Sequence, residues 1–426
     1  MRKSQAIIAV FVLAALCAAS AGYAVPAFAR KTGFNCAMCH TAFPKLNDFG
    51  QRYRDDGYQL LGLEGSEKTV FDGTVPLALR TSPGVFGAQT KRGDASDATA
   101  GFNVAGLDLL AAGVLHKNIS VLVVYTPRLD LPSSDFGGAD GSNPSQLGSL
   151  ESANVVFSNL LPRYLNLRAG RFEPAYLAVS PRRSYYLVLP YEIYDFTGPG
   201  TNAGLSTFYY GDNQLGLEAT GRAPFGLKYA LGVVNGTGGL PDNNVNKDLY
   251  LNLFQVFGRG DGMSAGQGLG VFAYYGWQPT LASLYISPWG EGNGTDSKPV
   301  YRLGGDLSLN WETLNLRALY LRGFEDQAFN LTAPTEDYEF SGGLAEVDWA
   351  TLPNNKLVAS VLYNWVQPPS SDEGRKVSSY GGLVRYYLGD WKAVNVALHG
   401  EYAYRVTGVH GPTQDNLFAG VIDVAF

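Results

Sequence analysis

Cysteine, histidine and methionine are scarce in this 426-residue chain: three, four and three residues. Cys17 falls in the leader described below, so only Cys36 and Cys39 remain for the mature protein. Two closely spaced thiols make no disulfide framework, and a zinc site needs more ligands than they supply. Charge is thin as well. Asp, Glu, Lys and Arg make up 16% of residues, below the usual quarter, and the formal net charge is −6. A strongly basic face for nucleic acid is therefore absent, and nucleic acid is excluded as a partner. After the leader no stretch reaches about 18 uninterrupted apolar residues, which excludes a helical membrane span. There is no hydrolase triad, metalloprotease motif, P-loop or dinucleotide fingerprint. The glycine-rich pieces fall in loops between strands and are poor phosphate cradles.

What is abundant is glycine (52), tyrosine (26) and phenylalanine (22). Residues 1–29 read as an export signal: Arg2 and Lys3, an apolar run from Ile7 to Ala19, then small residues. Cleavage fits after Ala24 or after Ala29. Ala24 is favoured, which makes residues 1–24 the leader and leaves the mature charge two units more negative, at −8. Leu16 is too bulky for lipoprotein processing at Cys17.

The most specific stretch is Cys36-Ala37-Met38-Cys39-His40, a C-x-x-C-H motif for covalent attachment of one c-type haem. The two thiols form thioethers, and His40 supplies an axial ligand to the iron. A thioredoxin-like pair would sit in a βαβ pattern, and none follows. Phe43, Leu46, Phe49 and Tyr53 are spaced three or four apart. That spacing predicts a turn and helix onset over 36–40 and a helix over 43–56, with its aromatic face on the haem. Residues 25–70 form this haem segment. It is too short to fold without a staple.

From 75 to 426 the period becomes two. Tyr301, Leu303, Leu307 and Leu309 alternate with Arg302, Asp306 and Asn310. Leu165, Leu167 and Ala169 alternate with Asn166 and Arg168. Leu215, Leu217 and Ala219 alternate with Gln214 and Glu218, and Leu314, Leu316 and Ala318 with Asn315 and Arg317. The predicted class is all-β: a transmembrane antiparallel barrel of about 16 strands. The last strand ends in Phe426, like the assembly signal of bacterial outer-membrane proteins.

Short turns are expected at His116-Lys117-Asn118, Arg222-Ala223-Pro224-Phe225, Asn310-Trp311-Glu312, Leu352-Pro353-Asn354-Asn355 and Gly389-Asp390. Long loops are expected at about 129–146, 173–211, 235–246, 279–298, 324–336, 366–375 and 405–414. Short turns belong on the periplasmic side, so the first strand, near Val75, starts there and the haem segment enters from below. A barrel of this size leaves an aqueous lumen that the segment could plug. Arg168, Glu218, Arg302, Asp306, Arg317 and Glu346 are expected to line it.

For a second axial ligand the mature chain offers His116, His399, His410, Met38 and Met263. His399 shares the polar face of its strand with Asn395, Glu401 and Arg405. It is either a candidate second ligand or a lumen histidine hydrogen-bonded to Glu401. His116 is either a ligand for a haem at the lower mouth or a plain turn residue. Met38 sits inside the attachment loop, His410 in an outer loop and Met263 in a periplasmic turn. The outer-loop acids Asp130, Asp135, Asp140, Glu325, Asp326, Glu336, Asp337, Asp372 and Glu373 could attract a divalent cation, or simply keep the loops solvated.

Residues 24–58 carry a resemblance. Ala24-Val-Pro26-Ala-Phe28-Ala29-Arg30, Thr32-Gly33, the Cys36–His40 motif, Phe43-Pro44, Leu46, Phe49-Gly50 and Gly57-Tyr58 resemble the haem segment of the fused outer-membrane cytochrome–porins. The best-known members of that family are iron-oxidising proteins. Two features depart from the iron-oxidase pattern: Lys31 stands in place of Gln, and Thr41-Ala42 is one residue shorter than the usual spacing.

The resemblance implies one haem c, ligated by His40, with electron entry from extracellular Fe(II) and so an Fe(II) oxidase activity. The expected function is electron transfer across the bacterial outer membrane to a periplasmic c-type cytochrome. The haem would lie on the periplasmic side or in the lumen. Two alternatives accompany it: a diffusion porin with a haem-bearing plug or gate, and a barrel anchor for a larger electron-transfer complex.

Overall fold

The computed structural model describes residues 27–72, 76–127, 149–161, 164–175, 179–201, 208, 210–238, 242–258, 265–280, 297–351, 355–388 and 395–425. Outside the described residues lie the leader 1–24, Val75, Met263, Asp130, Asp135, Asp140, most of the 279–298 loop, the turns at 352–354 and Gly389-Asp390, and Phe426.

Two short strands, β1 (His40–Ala42) and β2 (Lys45–Leu46), pair with each other near the N-terminus. Sixteen more close a barrel in chain order, each antiparallel to the next. They are β3 (Leu77–Arg92), β4 (Ala95–His116), β5 (Ile119–Thr126), β6 (Ser149–Leu161), β7 (Leu165–Phe172), β8 (Gln214–Arg222), β9 (Leu227–Val234) and β10 (Asp248–Val256). The circuit continues through β11 (Gly268–Pro279), β12 (Ser297–Trp311), β13 (Leu314–Glu325), β14 (Tyr338–Thr351), β15 (Leu357–Gln367), β16 (Val377–Leu388), β17 (Asn395–Thr407) and β18 (Thr413–Ala425). It closes where β18 pairs with β3, for example Leu417 opposite Ala88.

Tight turns at Lys117-Asn118 and Glu312-Thr313 sit on the side where β3 begins and β18 ends. The opposite rim carries the long connections, except the first, which is only Gly93-Asp94. The alternation of the sequence is the reason for the wall. Leu217 is 62% exposed and its neighbour Glu218 2%; Tyr402 is 54% exposed and Glu401 5%. Apolar side chains point out and polar ones in, an inversion that suits a lipid surround.

The expected aqueous lumen is corrected by the structure: the described residues fill it from both ends. The connection between β7 and β8, expected as an outer loop, turns inward. Tyr185, Tyr186, Val188, Leu189, Tyr191, Ile193, Tyr194, Phe196 and Tyr210 are all buried in the main core cluster. Wall carboxylates hold this inward loop. Glu401 accepts the backbone N–H of Leu187 (2.7 Å), Val188 (3.0 Å) and Leu189 (3.2 Å), and Glu325 accepts that of Gly198 (2.8 Å). A long polar connection can enter a barrel only if the wall satisfies its backbone groups, and these acids do so.

Candidate functional site

The N-terminal segment occupies the lumen at the short-turn end. Its first helix is Ala27–Thr32, its second Asp48–Asp55. The helix expected over 43–56 is therefore shorter. Asn47 caps it, its side chain accepting the Gly50 N–H at 2.9 Å, while Phe43 and Pro44 belong to the β1–β2 hairpin. Asp48 in the first turn, with Arg52 and Arg54 in the last, suits the helix dipole. Gly57 (φ +69°) ends the segment's helical run. A Cβ there would lie 2.8 Å from the Ser120 hydroxyl.

The motif forms a 3-10 turn over Cys36–Met38, capped by Asn35, which accepts the Met38 N–H at 3.1 Å. Asn47 also grips this loop. Its backbone N–H donates to the Cys39 carbonyl (2.9 Å) and its side-chain amide to the Met38 carbonyl (3.0 Å). Gly50 packs directly on the Cys39 carbonyl and leaves no room for a side chain.

Cys36, Cys39 and His40 line one cavity of about 320 Å³. Its apolar wall comes from the segment (Phe28, Phe34, Phe43, Leu46, Tyr53, Tyr58) and from the barrel (Leu79, Leu110, Leu122, Val124). Phe28 stacks on Tyr58 at 4.7 Å and meets Tyr53 edge-on at 5.5 Å. Phe49, expected on the same face, instead packs edge-on against Phe34 at 6.1 Å. The lining also carries charge, with Arg54, Arg80, Arg168, Arg182 and Arg183 alongside Asp108, Glu151 and Glu173.

The electrostatics of the motif separate two chemistries. Burial pushes the Cys36 thiol up to about 12, with Cys39 adding to the effect, and burial raises Cys39 to about 11. Neither cysteine forms a disulfide, and neither is the low-pKa thiolate that dithiol exchange requires. Burial lowers His40 to about 4 even though backbone carbonyls bond to its ring, so the imidazole is neutral at pH 7. His40 Nδ1 lies 3.2 Å from the Pro44 carbonyl oxygen. A carbonyl only accepts, so Nδ1 carries the proton and Nε2 keeps its lone pair. A metal-binding histidine is commonly oriented in this way.

The segment is pinned to the wall by ions. Lys45 pairs with both Glu346 and Asp348, all three nearly fully buried. Asp48 meets Lys228 (2.6 Å) and Arg222 (3.0 Å), and Arg54 meets Glu173 (3.3 Å). Lys31, where the sequence departs from the iron-oxidase pattern, bonds Glu67 and the Tyr58 carbonyl, each at 3.1 Å.

The other expected ligands lie apart from this cavity. His399 is buried on the lumen face of β17, as the alternation implies, but it does not line the cavity. Its Nε2 is 3.1 Å from Glu401, the hydrogen-bonded alternative. His116 is exposed at the end of β4, His410 is exposed 3.7 Å from Glu373, and Met38 is 40% exposed. Among the described residues, His40 is thus the only histidine or methionine lining the cavity.

Of the six expected lumen charges, Glu218, Arg302, Asp306 and Glu346 are each at most 3% exposed, while Arg168 and Arg317 are partly buried. Several loop acids do structural work. Asp326 caps a turn by accepting the Ala328 N–H (2.9 Å), and Asp372 accepts the Tyr338 hydroxyl (2.6 Å). Among the described residues no three His, Cys, Asp or Glu side chains group to hold a metal ion. Sequence reasoning missed Arg182 and Arg183, which nothing in the loop composition marks. It also missed Asn47, which its place before Asp48 identifies as a cap.

No family model and no curated protein matches this chain. Solved structures share its fold. An anion-selective porin from Comamonas acidovorans aligns at 12% identity over 82% of this chain and 99% of that one, with a TM-score of 0.55. Salmonella typhi OmpF, solved in complex with daunomycin, aligns at 14% identity over 82% and 97%, with a TM-score of 0.53. The outer membrane channel DcaP of Acinetobacter baumannii aligns at 10% identity over 82% and 97%, with a TM-score of 0.51. At these identities the likeness concerns the fold: a porin-like closed barrel.

Proposed function

We propose that this barrel sits in the bacterial outer membrane and conducts electrons through one covalently attached haem, from an extracellular donor such as Fe(II) to a periplasmic c-type cytochrome. One observation carries the reading. The two thiols and the imidazole of the C-x-x-C-H motif line a single cavity, with the His40 Nδ1 already tied to the Pro44 carbonyl.

The residues present fit the group. Cys36 and Cys39 would hold it as thioethers, and His40 Nε2 is the nitrogen available to iron. Arg182 Nε and Arg183 Nη1 are buried N–H groups without hydrogen-bond partners. They belong to side chains lining the charged wall, which suits the peripheral carboxylates of a haem. When bound, a c-type haem supplies a reversible one-electron carrier. The chain's own part is placement and insulation. The wall of Phe28, Phe34, Phe43, Tyr53, Tyr58 and Leu110 keeps water away, and Asn47 holds the attachment loop rigid.

The porin-like fold favours a second reading, a diffusion porin with a haem-bearing plug. The filled lumen speaks against free solute flow. A barrel that only anchors a larger electron-transfer complex remains a third arrangement.

Full-length protein matured in a host that attaches c-type haem should carry one haem per chain, absent from Cys36→Ser and Cys39→Ser. In liposomes, Fe(II) added outside should reduce that haem and an acceptor sealed within. Solute flux without haem turnover would support the porin. Haem reduction only from the periplasmic side would overturn the conduit.

A further inference from the structure

The cavity lined by the motif does not end there. Asp108, Glu151 and Asn213 share its lining with Cys36, Cys39 and His40. Asp108 on β4 is bonded to Thr126, the last residue of β5, and Glu151 lies close to the start of β6. β5 leads away from the Lys117-Asn118 turn and β6 leads back toward the short-turn side, so these residues mark the loop-side ends of both strands. One cavity thus links the motif to the side from which an external donor arrives.

The charges of the lining do not all find partners. Arg54 and Arg183 share Glu173, Arg80 pairs with Asp423, Arg168 with Glu218 and Arg182 with Asp212. Every arginine of the lining is matched, and Asp108 and Glu151 are left over. Among the described residues neither forms an ion pair, and the Thr126 hydroxyl donates to one Asp108 oxygen at 2.8 Å. Both acids are only half-buried, so a solute can reach them, and they are close enough to feel each other's charge. Two like charges side by side in a barrel interior are costly without a positive partner.

Two further observations point to a cation. First, a β-bulge adds Glu151 to the lining. Val124 pairs with Ser152 and Tyr125 with Leu150, so Glu151 is an extra residue with no partner opposite. A bulge re-aims a side chain, and here the sequence neighbours Glu151 and Ser152 both line the cavity. Second, Asn213 is 5% exposed and its side-chain amide donates to the Glu151 carbonyl, while its Oδ1 is buried without a hydrogen-bond partner. An acceptor oxygen left without a donor, next to an unpaired acid, calls for a positive partner. Carboxylate and amide oxygens are hard ligands, the kind that divalent cations such as Mn(II) take.

We propose that Asp108, Glu151 and the Asn213 side-chain oxygen bind the electron-donating divalent cation, Fe(II) on the proposed function, in the same cavity as the haem. The inference rests on that function. Among the described residues no three His, Cys, Asp or Glu side chains group to hold a metal. Two carboxylates and one amide oxygen therefore make a weak site, which suits a substrate that must come and go. The exchange balances: the cation loses one electron, the haem gains one, and no proton moves. Arg80 and Arg182 stand within electrostatic reach of Asp108 and disfavour keeping a cation that has gained a charge.

The test uses full-length, haem-loaded protein with Asp108→Asn, Glu151→Gln and the double variant, which keep the native side-chain shapes. The control is Glu339→Gln, an exposed acid paired with Arg322 away from the cavity. Binding is read first without electron transfer. Mn(II), titrated with detection by electron paramagnetic resonance, should occupy a site in the native protein that weakens about tenfold in each single variant and is lost in the double variant. In liposomes, the KM for Fe(II) added outside should rise about tenfold in each single variant while the maximal rate of haem reduction stays within about twofold. Mn(II) should compete with Fe(II) in the native protein, and the control should behave as native in both measurements. Haem content and reduction by dithionite should be the same in all variants. Native Mn(II) affinity in the double variant, or an unchanged KM for Fe(II), would overturn the site. Absence of attached haem, or an attached haem that Fe(II) does not reduce in the native protein, would overturn the proposed function instead.

Discussion

Residues 27–72 and the β7–β8 connection enter the same barrel from opposite ends, and they are built differently. The connection belongs to the main core: Tyr185, Val188, Leu189, Tyr191 and Ile193 are buried in it, and Glu401 and Glu325 collect its backbone N–H groups. The N-terminal segment has only a small cluster of its own, Tyr53 and Tyr58 against Ala112, with Phe28 alongside. It wraps a cavity instead of filling one, and much of its attachment is ionic. A segment with so little buried apolar surface is marginal without a staple. The loop is a finished plug, and on the proposed function the N-terminal segment is a holder that a haem would complete.

The two meet at Lys45, and the largest expected effect is there. Lys45 neutralises Glu346 and Asp348, which also accept from Tyr191 and Tyr185 of the loop. Lys45→Met leaves two buried carboxylates without a cation, at a cost of about 3–5 kcal/mol. Urea titration in lipid vesicles should show that loss, and proteolysis should cut both lumen segments. Adding Glu346→Gln and Asp348→Asn should restore most of the stability, since no unpaired charge then remains. If only the N-terminal segment became accessible, the two fillers would be independent after all.

A smaller effect separates them. Glu401 accepts three loop N–H groups and contacts His399. The single carbonyl oxygen of Glu401→Gln cannot serve all of them, and the change should cost about 1–3 kcal/mol. Loosening the loop should raise ion conductance in planar bilayers while residues 27–72 stay as protease-resistant as before. Unchanged conductance would mean that hydrophobic burial alone seats the loop.

The sequence made the wall far more legible than its contents. Alternation such as Leu217 against Glu218 reports directly which side of a strand is buried, as it does along β10, β11 and β17, whereas β4 buries its residues without that period. The motif was legible because its residues are adjacent. Their shared cavity was not, because half its wall comes from barrel strands and from Arg182 and Arg183, the two arginines lying more than a hundred residues away. The inward turn of the described residues between β7 and β8 was hidden for a related reason. Glycine, proline and polar residues mark a connection but not the direction it takes, and the acids that capture it lie on β13 and β17. Position 399 shows the limit of a face argument, which put the histidine in the lumen but not beside the cavity.

The smallest expected effect tests the ionic half of the contrast alone. Burial by itself would raise the Asp48 carboxyl, but Lys228 and Arg222 outweigh it and hold the group below the usual carboxylate range. A folded-state value below the unfolded one stabilises the fold above about pH 4, and the contribution fades as pH falls toward the folded value. Asp48→Asn should therefore cost about 1–2 kcal/mol at neutral pH. Measured as protease release of residues 27–72 between neutral and acid pH, the native protein should loosen on acidification while the variant starts looser and changes less. The two curves should converge at the acid end, where the native carboxyl is protonated too. Identical curves at every pH would mean that these charges do not hold the segment. The difference between the two lumen fillers would then be one of packing only.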